Sequence, residues 1–275
     1  MGLSLFELKG LRFGYSRGEE VLKGVDLSLR RGAKTVVIGP NGSGKTTLLL
    51  HLNGVLRPTR GAVYFKGRQI SYDRRSLREL RSAVGFLFQD PDVQVFAGTV
   101  FEDVSFGPMN LGLPGPEVER RVQRALSSLG IEELADRPLH FLSFGQKKLV
   151  ALAGVLAMEP EVLVLDEPTA NLDPAHVEVL LEKVEELRSA GCEVIMSTHD
   201  VDLAYSWADE VVIFCEGRAM ASGDPEAVFS SEELLRAGSL RRPILLECWT
   251  ALRERGLADG PPPRDVLSFR RSLGL

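Results

Sequence analysis

Between residues 3 and 37 short apolar runs alternate with turns: "LFELKGLRFGY", "EVLKGVDLSLRRG" and "KTVVIG". Such alternation predicts strands of an antiparallel or mixed sheet, ending in a fully buried strand. A glycine-rich turn follows, and "KTTLLLHLNGVL" then takes helical spacing until near Pro58. "GAVYFKGRQI" resumes strand character. From about residue 75 to 160 the pattern is helical and loop-rich, with "SLRELRSAV" and "PEVERRVQRALSSLGI" as its clearest helices. The continuous apolar run "EVLVLD" at 161–166 is what a central parallel strand gives. After it come the helix "PAHVEVLLEKVEELRSAG", the strand "CEVIMST", another helix and the strand "EVVIFCEG". This βαβα alternation predicts an α/β fold with a parallel core sheet and a helical insertion. Near the C-terminus, "PILLECWTALRERG" reads as an amphipathic helix, "GPPP" breaks it, and "DVLSFRRSLGL" reads as a last short helix.

One helix of the insertion has an odd beginning. "FLSFGQKKLVALAGVLAMEP" at 141–160 opens with Ser143 and Gln146 at the spacing of a capping box. Leu149, Leu152, Ala153, Leu156 and Ala157 then mark one apolar face until Pro160 closes the run. A plain core helix gives no reason for a glycine at its first turn with Phe144 wedged before it.

Bulk properties narrow the class. At 275 residues, with 44% hydrophobic and 26% charged, the chain fits one large domain with a small appendage. A net charge of −5 supplies no electrostatic pull toward nucleic acid. No apolar stretch approaches the ~20 residues a spanning helix needs. The N-terminal "MGLSLFELKG" has early charges and no cleavage pattern, so no signal peptide is expected. Cys192, Cys215 and Cys248 are far apart and outside CxxC pairs, which points to a reducing cytosol rather than a disulfide framework or zinc site.

Two motifs carry chemistry. "GPNGSGKTT" follows the strand "KTVVI", opens a helix and fits G-x-x-x-x-G-K-[ST]. The candidate nucleotide cradle is therefore Gly39, Pro40, Asn41, Gly42, Ser43, Gly44, Lys45, Thr46 and Thr47. Glycines let the backbone N–H groups turn toward phosphate oxygens, and the helix N-terminus adds partial positive charge. Lys45 is placed to reach the β- and γ-phosphates, and the Thr46 hydroxyl to ligate Mg²⁺. The second motif, "VLVLDEP" at 162–168, ends a buried strand on two carboxylates. Asp166 is the candidate Mg²⁺ ligand, and Glu167 the group that polarises the attacking water.

With "LSFGQ" shortly before "VLVLDEPTANLD" and "STHD" about thirty residues on, the chain resembles the ATP-binding cassette (ABC) ATPases over roughly residues 3–225. That resemblance implies a P-loop NTPase fold with a parallel core sheet, an antiparallel β subdomain and a helical signature subdomain at about 90–160. Residues 1–225 form the ATP-binding domain, and 226–275 a small C-terminal helical extension. It also implies roles. Tyr15 matches the aromatic that stacks on adenine. Gln89 matches the glutamine that touches Mg²⁺ and the attacking water while linking to the membrane partner. Asp173 matches the loop that crosses to the opposite subunit, and His199 the switch histidine at the γ-phosphate. "LSFGQ" resembles the element that grips the γ-phosphate of ATP held by another subunit, through Ser143, Gly145 and Gln146. One copy of each half then requires a dimer, with a second copy or with a paralogue. Two positions depart from the family pattern: Phe144 stands where a glycine is usual, and Leu149 where an arginine often follows.

"FQDPDVQVFAGTVFEDVSFGPMNLGL" resembles the region after the glutamine in energy-coupling factor (ECF) ATPases, the cobalt/nickel and vitamin uptake family, and "KKLVALAGVLAMEPEVLVLDEPTANLD" is similar to its cobalt-type members. In that family the first stretch forms a groove for a coupling helix, for which Val95, Phe96 and Phe101 are candidates. The resemblance implies a peripheral ATPase on the cytoplasmic face of the membrane, bound to a transmembrane T-type subunit and a substrate-binding membrane subunit. Its work is micronutrient import, of a cobalt or nickel ion or else a vitamin. A nucleotide-binding subunit of another ABC importer or exporter shares every catalytic motif; only the 94–113 stretch argues against it. A soluble ABC ATPase acting on ribosomes or DNA is disfavoured by the single cassette, the lack of sustained heptads and the lack of a basic patch.

Overall fold

A computed structural model describes residues 4–16 and 18–274. The chain divides into two compact units, residues 1–70 with 196–275, and residues 71–195.

The first unit begins with β1 (Ser4–Phe13), β2 (Leu22–Arg30) and β3 (Thr35–Ile38), then α1 (Lys45–Leu52), β4 (Arg60–Phe65) and β5 (Arg68–Gln69). β1 is central in an antiparallel sheet of order β2-β1-β4-β5. Its apolar residues meet their own kind across both ladders, Leu8 opposite Leu27 on one side and Val63 on the other. β3 is buried at every position, as the unbroken apolar run requires. It delivers the chain directly into the glycine turn ahead of α1. That helix stops at Leu52, earlier than its apolar spacing predicts. Gly54 takes a left-handed φ of 68°, and the N–H groups of Val55 and Leu56 both donate to the Leu50 carbonyl, closing the helix before Pro58.

The second unit carries α2 (Arg74–Ala83), β6 (Val84–Leu87), α3 (Val100–Asn110), α4 (Gly115–Ser128), α5 (Phe144–Leu156), β7 (Val162–Asp166) and α6 (Pro174–Ser189). β8 (Glu193–Thr198) then leads the chain back to the first unit. β6 corrects the helix-and-loop expectation for 75–160. These four buried residues pair in parallel with β7, Phe86 opposite Val164. Gly85 makes the packing possible: a Cβ there would lie 2.4 Å from Val155 Cγ1 on α5. α5 itself matches its expected face, with Leu149, Leu152, Ala153, Leu156 and Ala157 all buried.

Back in the first unit come α7 (Val201–Trp207), β9 (Glu210–Cys215) and β10 (Arg218–Gly223). β9 runs parallel to β3, Val36 opposite Val211, and β10 returns antiparallel to β9. Four helices follow: α8 (Pro225–Ser230), α9 (Glu232–Ala237), α10 (Ile244–Glu254) and α11 (Val266–Ser272). They hold to α7. Asp202 accepts from the Ile244 N–H at 2.7 Å and pairs with Arg241. Arg264 donates to the Tyr205 carbonyl at 2.8 Å and lies over the Tyr205 ring. Trp249, 1% exposed, packs edge-on against Phe269. Trp249→Ala is therefore expected to cost about 3–5 kcal/mol in urea denaturation, the usual price of a buried aromatic.

Candidate nucleotide site

In the first unit the loop from Gly39 to Gly44 is shaped by what its glycines allow. A Cβ at Gly39 would fall 1.9 Å from the Phe214 carbonyl oxygen. Gly42 and Gly44 hold φ of 76° and 102°, in the left-handed region that favours glycine. Lys45, only 6% exposed, curls back so that Nζ donates to the Gly39 and Pro40 carbonyls at 2.8 and 3.2 Å. The Ser43 hydroxyl is buried with no hydrogen-bond partner. An ammonium, an orphaned hydroxyl and a helix N-terminus without a side-chain cap make a donor set that suits phosphate oxygens. Tyr15 sits beside this loop. Its hydroxyl bonds with Thr47 Oγ1 at 3.1 Å, and its ring rests edge-on against Phe13. The rest of that ring is presented to solvent, with 63% of the residue exposed, as a stacking platform needs. His199, exposed, directly follows β8 where Asp200 caps α7.

In the second unit β7 ends on Asp166 and Glu167, 1% and 5% exposed. Glu167 holds a φ of 43°, a left-handed backbone that costs a non-glycine residue of order 1 kcal/mol and is typical of functional sites. Gln89 lies just past β6 with its side chain exposed, while its backbone is fixed. The Gln94 amide closes the same loop, donating to the Phe86 carbonyl at 3.1 Å and accepting from the Phe88 N–H at 2.9 Å.

The predicted capping box on α5 is present. Ser143 Oγ accepts from the Gln146 N–H at 3.3 Å, and Gln146 Oε1 accepts from the Ser143 N–H at 3.0 Å. Two of the three residues that the resemblance offers to phosphate, Ser143 and Gln146, are thus engaged with the helix end. Asp173 caps α6, its carboxylate accepting from the His176 N–H at 3.0 Å. Its other oxygen meets His176 Nδ1 at 2.6 Å, and these bonds hold its carboxyl below the usual range. The His176 ring covers Gly145 so closely that a Cβ there would lie 3.1 Å from Cδ2. Phe144 is half-buried at the first helical position. Phe144→Gly removes a ring and none of these bonds, so ATP turnover is expected to stay level or rise; a steady-state ATPase assay checks it, and a collapse would assign the ring a role.

Two residues with a part in this geometry carried no motif. His176, in the first turn of α6, has no sequence neighbour that marks it. Lys148 is fully buried on α5, with Nζ donating to the Phe88 and Gln89 carbonyls at 2.9 and 2.6 Å. Burial pushes its ammonium down to about 8, against the pull of Asp166, Asp90 and Glu167. A signal existed: Lys148 stands one helical turn before Leu152, on the apolar face.

Of the three groove candidates, Phe96 is 65% exposed, Val95 is buried and Phe101 half-buried. Val95 N–H donates to the Pro91 carbonyl and the side chain turns into the core, so it leaves the surface set. Phe106 and Met109, unremarked in the sequence, are exposed instead. Phe96 and Phe106 meet edge to face, centroids 4.8 Å apart. The buried Asp103 carboxylate fixes the Phe96 and Ala97 N–H groups at 2.8 and 3.0 Å, so the exposed ring has a rigid base.

Comparison with known proteins identifies the family. Residues 22–170 match the family described as ABC transporter. The "Energy-coupling factor transporter ATP-binding protein EcfA" of Methanocaldococcus jannaschii is 51% identical over 272 residues, covering 96% of this chain and 98% of that protein. The EcfA2 protein of Methanospirillum hungatei is 49% identical over 270 residues, 98% of this chain and 68% of its own. Among solved structures, cbiO1 from Clostridium perfringens, described as part of the ABC transporter complex cbiONQ, aligns with a TM-score of 0.74 at 43% identity, covering 89% of this chain and 98% of that one. The chain belongs to the ABC transporter family, as an ATP-binding subunit of the energy-coupling factor type that couples ATP hydrolysis to transport.

Proposed function

We propose that the chain energises uptake of a micronutrient, a cobalt or nickel ion before a vitamin, from the cytoplasmic face of the membrane. It does so by closing and reopening an ATP-sandwich dimer. The observation that carries the membrane-coupling part is the Phe96–Phe106 pair, a rigidly based apolar surface on the segment following Gln89. Among the described residues no helix is long and apolar enough to cross a membrane. The T-type subunit would lay its coupling helix here, and a further membrane subunit would choose the cargo. The metal preference rests on the likeness of residues 147–173 to cobalt-type members.

Within this reading Tyr15 stacks on adenine, the Gly39–Thr47 turn cradles the phosphates, and Lys45 bonds to the β- and γ-phosphates. The Thr46 hydroxyl, Asp166 carboxylate and Gln89 amide oxygen are the all-oxygen donors that a Mg²⁺ ion accepts. Bound there, the ion would neutralise charge on the phosphate oxygens. Glu167 orients a water and accepts its proton as the oxygen attacks the γ-phosphorus and the bond to ADP breaks. His199 steadies the γ-phosphate. From the second subunit, Ser143, Gly145 and Gln146 complete the cage, and Asp173 crosses the same interface. The Ser143–Gln146 cap and the phosphate grip are alternatives, so closure exchanges one set of bonds for the other.

Affinity purification of the full chain from its own membranes tests the coupling. Membrane proteins should copurify with it, and the metal content of the complex should reveal the cargo. Phe96→Asp with Phe106→Asp should release them and leave ATP binding intact. Undiminished association of the double variant would contradict the docking surface.

A further inference from the structure

A lysine with no exposed surface is rare, because taking an ammonium out of water is costly unless hydrogen bonds compensate for it. Lys148 has 0% exposure, and its compensation is specific. Nζ donates to two consecutive carbonyls, those of Phe88 and Gln89, at the end of β6. The preceding residue reaches the same segment, Lys147 Nζ lying 2.6 Å from Asp92 Oδ1. Two successive lysines near the start of α5 thus hold the 88–92 segment at two points. Gln94 grips it from the other side through Phe86 and Phe88. The backbone of Gln89 is immobilised while its side chain points to solvent. The helix that does the holding is capped by Ser143, only five residues before Lys148.

We propose that Lys148 is a positioning residue: it ties the backbone of Gln89 to α5, so that the orientation of the Gln89 amide follows the position of the Ser143 end of that helix. This rests on the reading that Gln89 and Ser143 serve ATP. The physical content is rigidity. A 2.6 Å bond from a charged donor to a carbonyl is among the strong hydrogen bonds, and the donor side chain has no exposed surface of its own. A shift of α5 when Ser143 and Gly145 engage a partner's phosphate would pull on the Phe88 and Gln89 carbonyls together. The two halves of the machinery in this unit, the phosphate-gripping helix end and the water-orienting amide, then change as one. An apolar residue of the same length would fill the same space without that link, which makes Lys148→Met the discriminating variant.

The test is a double-mutant cycle on the full chain, with ATP turnover and ATP affinity measured separately. Lys148→Met is expected to lower kcat roughly tenfold and to change the affinity for ATP less than about twofold. Lys148→Arg, which keeps the donors, should recover most of the loss. Gln89→Ala alone should also lower kcat. Added to Lys148→Met, it should bring little further loss, because both changes remove one linked function; coupled sites show such non-additivity. Multiplicative losses in the double variant, or a normal kcat in folded Lys148→Met protein, would overturn the proposal. A normal kcat in Gln89→Ala would instead sink the reading beneath it, a distinct outcome. Should Lys148→Met fail to fold, the same cycle is run on Lys148→Leu, which also lacks a donor, with the same expected non-additivity.

Discussion

Glu167→Gln is expected to reduce ATP turnover by about 10²–10⁴-fold, the contribution of a positioned base, while ATP binding survives. The amide has the shape of the carboxylate and suits the same 5%-exposed pocket at the end of β7. It lacks the basicity to accept a proton from the attacking water. The strained φ of 43° is unchanged by the substitution, so folding stability should hold. With hydrolysis blocked, the closed state has no exit, and the variant should sediment as a dimer with Mg²⁺-ATP and as a monomer without it. Near-normal turnover would remove Glu167 from the role of base. Asp166, its neighbour, would then be the carboxylate to re-examine.

Lys45→Ala is expected to abolish the stabilisation that ATP gives the chain. The Lys45 ammonium is nearly buried and sits on the carbonyls of its own loop. Charge-assisted hydrogen bonds are worth about 1.5–3 kcal/mol each, so losing two to phosphate oxygens weakens ATP by about 10²-fold or more. A ligand at a hundred times its Kd stabilises a fold by about 2.7 kcal/mol. The wild-type chain should therefore melt several degrees higher with ATP, and the variant should show almost none of that shift. The variant also gives up the bonds to Gly39 and Pro40, a cost that appears in the melt without nucleotide and can be subtracted.

Much of this architecture can be read from sequence wherever one short segment holds its own explanation. β3 and β7 are each buried at every position and each pair in parallel with a neighbour of their own unit, β9 and β6, so no surface position interrupts the pattern. The start of α5 is legible because a capping box is a local bond pair. What depends on distant partners is not. β6 has four residues, one of them glycine, and follows directly on α2; its strand character comes from β7, which lies far along the chain. α8 and α9 have six residues each, too short for a periodic signal, although Asp224 and Ser231 cap them. Lys148 illustrates the same limit at the site. The place of Lys148 one turn before Leu152 marks it as inward-facing, but only the tertiary structure shows that its partners are the Phe88 and Gln89 carbonyls. The candidate site residues were legible because their chemistry depends on spacing along the chain; their present hydrogen-bond partners were not.

The central claim is that the Ser143 end of α5 serves a nucleotide held by another subunit. Its most direct test is complementation between two inactive variants of the full chain. Lys45→Ala disables the cradle, and Gly145→Asp places a carboxylate and a clashing Cβ at the phosphate-gripping end. Each alone should be inactive. Mixed in equal amounts in a chain that pairs with itself, half of the dimers carry one intact composite site, and turnover should return to about a quarter of wild type if sites act independently. Full activity in Gly145→Asp alone would contradict the account, since a site built within one subunit has no use for that glycine.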